Sequence, residues 1–174
     1  MASIWNGWAP PPKRKVFVSY FHRGHQAYYD AFSHHFGTQL DLFTDRSLDR
    51  ARDSDDPTYI MRHIRETHLK GASTLVVLCG SGTNKRKYVD WEIKAALDQK
   101  MALVAVKLPD LTVIGDGCDK PARLQDNIDS GYAVWTWWEN FTINAEAMTA
   151  TVEEANKRSK LLITNSRARR LRNG

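Results

Sequence analysis

The segment Tyr88-Val-Asp-Trp-Glu92-Ile93 sets an aromatic ring and a carboxylate four residues apart, so in a helix both side chains share one face. Ala95 and Ala96 continue the segment with small groups, which leaves room for a ligand or for another element. A fixed carboxylate in such a place can stabilise positive charge that develops on a bound substrate. The plain alternative is that Glu92 is only a good helix former. A second group is Ser19-Tyr20-Phe21-His22-Arg23. An aromatic ring can stack on a base and an arginine can bind phosphate, so this run suits a nucleotide. Equally, Tyr20 and Phe21 could simply cap the core. The segment Gly80-Ser81-Gly82 is too weak a pattern to define a phosphate loop.

Several chemistries lack their motifs. No dinucleotide-binding glycine fingerprint follows the first strand, and there is no GxxxxGK[ST] segment. The histidines at 22/25, 34/35 and 63/68 show no metal-ligand spacing with carboxylates or cysteines, so no metal is expected. A receiver-type phosphorylation site would need paired acids where Ser19 and Tyr20 stand. The glycosylation acceptor at Asn140-Phe-Thr142 carries no meaning in a cytosolic chain.

Elements that could position these groups follow from periodicity. Residues 15–20, 40–43, 74–79, 102–106 and 132–138 read as five strands, several of them near-continuous apolar runs of the buried kind. Helices are expected over 25–36, from Pro57 onward behind an Asp56 cap, over about 85–99, and over about 145–162 behind an Asn144 cap. The stretch 44–56 reads as a polar loop. Residues 109–131 read as irregular, with a short helix near 121–127. Strands alternating with helices require a parallel sheet and an α/β fold of flavodoxin-like, three-layer type. Ligands in such sheets sit beyond the carboxyl ends of the strands, which selects residues 19–23, 44–50 and 79–84.

The 174 residues suffice for one domain with a real core. No apolar run is long enough to span a membrane, and the order of residues 1–15 is wrong for a signal peptide. Two cysteines without motif spacing, Cys79 and Cys118, fit a reducing cytosol. The net charge of +5 is concentrated in residues 157–174, which hold seven basic residues and no acid, while the remainder is close to neutral. The expected organisation is an extension over 1–13, a domain over 14–164 and a basic tail over 165–174. That tail could bind nucleic acid or an acidic partner, but a solvated tail is the expected state.

These pieces together resemble the Toll/interleukin-1 receptor (TIR) family. Residues Lys15-Val-Phe-Val-Ser-Tyr20 look like its first strand, and Leu42-Phe-Thr-Asp45-Arg-Ser-Leu48 like its second strand and the loop behind it. The segments Val76-Val-Leu-Cys-Gly-Ser81 and Tyr88-Val-Asp-Trp-Glu92-Ile93 are similar to its third strand and its aromatic-x-x-x-Glu helix. Within the superfamily the resemblance is closest to the TIR-like ThsB proteins of bacterial Thoeris anti-phage defence, over about residues 14–138. Two departures stand out: Tyr88 replaces the usual tryptophan, and the loop after Leu48 lacks a glycine.

The resemblance implies cleavage of NAD+ as substrate, with no further cofactor, at the bond between nicotinamide and ribose. It implies Glu92 as the catalytic carboxylate and Tyr88 beside the nicotinamide. It further implies Ser19, Tyr20, Phe21, His22, Arg23 and Asp45 around the nucleotide, with Ser81 and Asn84 at the rim. The implied partners are an effector protein that senses an ADP-ribose-derived product, a second copy of the chain and a phage-derived trigger. A non-enzymatic TIR-like adaptor is the rival expectation.

Overall fold

The computed structural model describes residues 13–43, 56–115 and 117–174. Asp45, expected around the nucleotide, lies outside the described residues.

Five strands form one parallel sheet: β1 (Lys15–Ser19), β2 (Asp41–Phe43), β3 (Thr74–Cys79), β4 (Ala102–Lys107) and, after a small hairpin of β5 (Val113–Ile114) and β6 (Gly117–Cys118), β7 (Val134–Trp137). The order across the sheet is β2-β1-β3-β4-β7, the flavodoxin-like arrangement, and all four pairings are parallel. The chain reverses its direction of travel across the sheet between β1 and β3, where Ser19 pairs with Val77. This switch point leaves a crevice beyond the strand ends.

Alternation along the strands divides the core into two layers. Phe17, Leu75, Val77, Leu103 and Ala105 face α2 (Pro57–His63) and α3 (Lys87–Asp98), with Leu124 of α4 (Ala122–Asp129) completing that side. Val16, Val18, Val76, Leu78, Val104 and Val106 face α1 (His22–Phe36), α5 (Trp138–Phe141) and α6 (Ala145–Lys157). Among the described residues, no helix is long and apolar enough to cross a membrane. Both cysteines are free thiols, and burial pushes that of Cys79 up.

Two caps form as expected. Asp56 accepts a hydrogen bond from the Thr58 amide at 2.9 Å with Pro57 at the first helical position, and Asn144 accepts one from the Ala147 amide at 2.7 Å. Other boundaries move for identifiable reasons. Helix α1 begins at His22, not at residue 25, because the Gly24 and His25 amides both bond to the Phe21 carbonyl; His25 itself is non-helical, which kinks the helix there. After α2 the chain continues as a π-turn, Ile64–His68. A five-residue step from Ile64 to Leu69 departs from an α-helical face, and the Leu69 amide bonding to the Ile64 carbonyl lets both side chains reach the core. Within residues 109–131 the expected short helix forms as α4, while the β5–β6 hairpin adds order where an irregular stretch was expected. Helix α6 ends at Lys157, short of residue 162, because Arg158 turns extended and donates to the Gly131 carbonyl at 2.9 Å.

The largest correction concerns the tail. Residues 165–174 do not stand free of the body: they run over α3 and α4 and bond to both. The Trp91 indole N–H donates to the Arg170 carbonyl at 2.7 Å, and Arg167 pairs with Asp126 of α4 at 2.9 Å. Helix α3 is buried at Val89–Ile93 and again at Ala95, Ala96 and Leu97, almost around its circumference. A helix apolar on one face only could not bury so much; the tail covers its outer side.

Candidate active site

Strand alternation explains where Ser19 points. With Phe17 on the α3 layer, Ser19 two residues on shares that side, while Tyr20 turns to the α1 layer. Helix α3 returns Glu92 to the same place. The Ser19 hydroxyl donates to Oε2 of Glu92 at 2.5 Å. Glu92 is only 5% exposed, and Ser19 is fully buried. A carboxylate taken so far from water is costly unless it is hydrogen-bonded, so the serine is part of what allows an acid to sit between Trp91 and Ile93. The pair stands at the end of β1, beside the switch point.

Past the ends of β1 and β3 lies a cleft of about 390 Å³, lined by Phe21, Ser81, Gly82, Arg86, Leu111 and Asp119 among others. Phe21 ends the β1–α1 connection. The guanidinium of Arg86 lies 4.1 Å over its ring, and Arg86 Nε donates to the Gly82 carbonyl at 3.2 Å. Gly82 adopts φ = 79°, a conformation that favours glycine, and so allows the turn between β3 and α3. Glu92 is not among the residues lining this cleft.

Of the expected site residues, the fold brings Ser19 to Glu92 and places Phe21 and Ser81 on one cleft wall. The others are more scattered. Tyr20 is 3% exposed, stacks on Tyr29 at 5.1 Å and donates its hydroxyl to Gln26 at 2.9 Å, on the α1 side of the sheet. His22 packs 4.3 Å from the Tyr20 ring, and Arg23 is exposed in the first turn of α1. Asn84 donates to Asp119 at 2.6 Å, which ties the rim to the hairpin. Tyr88 is half-buried and meets Trp91 edge-on at 5.7 Å.

One pair was invisible to sequence reasoning. His25, buried at the kink of α1, places Nε2 at 2.8 Å from the carboxylate of Asp110, which follows β4. Gly80 lies against this pair: a Cβ there would stand 2.3 Å from His25 Nε2 and 2.5 Å from the Asp110 carboxylate. Glycine at the end of β3 is the one local signal of that close approach.

No curated protein matches the sequence. A family model, described as the TIR-like domain of the Thoeris protein ThsB, matches residues 17–112, a span that runs from β1 to the start of the hairpin and contains Ser19, Phe21, Ser81 and Glu92. The parallel sheet in flavodoxin-like order, the acid returned by α3 to the end of β1, and this match over more than half of the sequence agree: the chain belongs to the ThsB TIR-like domain family of Thoeris defence.

Proposed function

We infer that this protein cleaves NAD+ between nicotinamide and ribose, with Glu92 as the catalytic carboxylate. The observation that carries the reading is a buried acid held by Ser19 at the topological switch point of the sheet. Nicotinamide leaves as a neutral ring from a cationic one, taking the electron pair of the broken C–N bond, so no general acid is required. The ribose carbon left behind carries oxocarbenium character, as in glycoside hydrolysis. A preorganised carboxylate beside it stabilises that charge and can accept hydrogen bonds from the ribose hydroxyls. Water, or a hydroxyl of the same ADP-ribosyl group, then adds to the carbon and releases a proton; the second route gives a cyclic product. Such a product suits a messenger read by a separate effector protein.

The cleft past the ends of β1 and β3 supports nucleotide binding. Phe21 offers a ring, Arg86 and Lys85 offer positive charge to phosphates, and Ser81 offers a hydroxyl at the rim. With Glu92 only 5% exposed, the ribose reaches the carboxylate after a local rearrangement at the strand ends. That requirement fits an enzyme quiet at rest, activated by a second copy or by an infection-derived trigger. A purely adaptor-type TIR domain would have no use for a buried acid in this position.

The test is incubation of the purified protein with NAD+ over a dilution series, with and without lysate of phage-infected cells, and chromatographic resolution of products. Release of nicotinamide with an ADP-ribose-derived product supports the reading. Intact NAD+ in every arm would favour the adaptor.

A further inference from the structure

We propose that residues 165–174 form a fixed strap that caps the helix bearing Glu92 and builds one wall of the cleft, with Asn173 as the positioning residue at the rim. The proposal rests on the reading of Glu92 and the cleft as an NAD+ site.

The N-terminus of α3 has no local cap. Arg86 occupies the N-cap position and makes no side-chain capping bond. The first amides of a helix lack partners within it, and a side-chain oxygen from a Ser, Thr, Asp or Asn just before the helix ordinarily takes one. Here the oxygen comes from 86 residues away: the Lys87 amide donates to Oδ1 of Asn173 at 2.9 Å. One residue on, the Gly174 amide donates to the Lys85 carbonyl at 3.1 Å, and Gly174 itself lines the cleft. The strap therefore touches the rim on both sides of Arg86, the residue whose guanidinium covers Phe21.

The strap is anchored rather than laid on. Arg123 of α4 is 0% exposed and donates to both oxygens of Asp90, to Oδ1 of Asn165 at 2.7 Å and to the Ala168 carbonyl at 3.1 Å. The Arg170 amide donates to the same Asp90 carboxylate at 2.8 Å, and the Asn165 amide group bonds to the Lys94 carbonyl and to Asp98. Without the strap, a buried guanidinium and a nearly buried carboxylate would lose partners. These anchors grip α3 at Asp90, Trp91 and Lys94, around Glu92. The strap is thus part of the site wall, with Asn173 and Gly174 at the rim against which a dinucleotide would lie.

The test compares Asn173→Ala with Asn173→Asp in the full chain, by NAD+ kinetics and by amide hydrogen exchange of the Lys87 region. Asp keeps the acceptor oxygen and adds a charge that suits a helix N-terminus. Asn173→Ala is expected to raise KM about fivefold with kcat nearly unchanged, and to raise exchange of the Lys87 amide by a similar factor, as loss of a cap does. Asn173→Asp is expected to restore both. Unchanged exchange in Asn173→Ala, or an Asp variant no better than Ala, overturns the cap. Faster exchange with an unchanged KM overturns the role in the cleft. If the wild-type chain releases no nicotinamide, the NAD+ reading has failed, while the exchange data still decide the cap.

Discussion

At the scale of single residues, Ser19 and Glu92 are the core of the proposed site, and separable contributions are expected of them. Ser19→Ala removes the hydroxyl that donates to Oε2 and leaves the carboxylate with one partner fewer. Hydrogen bonds to charged groups are worth about 1.5–3 kcal/mol, so kcat is expected to fall by roughly tenfold to a hundredfold. Steady-state kinetics on a variant with a wild-type melting curve checks this; an unaltered kcat would show that the serine only fills space. Glu92 stood out in the sequence as a candidate because an aromatic and an acid at helical spacing follow the third strand. Its contact with Ser19 followed only once strand alternation and helix rotation were combined in three dimensions. His25 stayed hidden for another reason. Its partner Asp110 is 85 residues away, and a histidine inside a helical pattern announces nothing about what closes over it.

At the scale of elements, helix α3 illustrates how tertiary contacts override local rules. Its apolar pattern predicts the helix well, yet it begins without a local cap and is buried nearly all round. Both features are resolved by residues 165–174. That strap was read as solvated because four arginines in a stretch with no apolar period look like a tail. The strap is held by backbone groups, asparagine side chains and the Arg167–Asp126 pair, which carry no hydrophobic signal. The junction at Arg123 yields a quantitative expectation. Arg123→Met removes the guanidinium and leaves Asp90 without its ion-pair partner, so denaturant unfolding should show a loss of about 3–5 kcal/mol. A loss below about 1 kcal/mol, the range of an exposed pair, would mean that the strap contributes little to the fold.

Over the whole molecule, the flavodoxin-like parallel sheet was readable from the buried apolar runs and from the βα succession. The β5–β6 hairpin and the strap were not, since each depends on contacts across the fold. Docking of the strap should respond to acid. The hydrogen bonds from Arg167 hold the Asp126 carboxyl below its ordinary range. A carboxyl depressed in the folded state stabilises it above the unfolded value, near pH 4, and that contribution disappears as pH falls through the lowered value. Exchange protection of residues 166–170 should therefore hold from neutral pH to about pH 5 and decline below about pH 4, ahead of global unfolding. Asp126→Asn should abolish that step, and a strap whose protection stays level until the whole chain unfolds would show that the pair contributes nothing.

One carboxylate carries the proposed chemistry. Glu92→Gln keeps the shape of the side chain and removes its charge. The decisive measurement is nicotinamide release from NAD+ by wild-type and Glu92→Gln protein under identical activating conditions, with melting curves recorded for both. We expect matching melts and a rate at least roughly a hundredfold lower in the variant, as loss of a central electrostatic group produces. Matching melts with rates within about tenfold of each other would contradict the assignment of Glu92 as the catalytic residue.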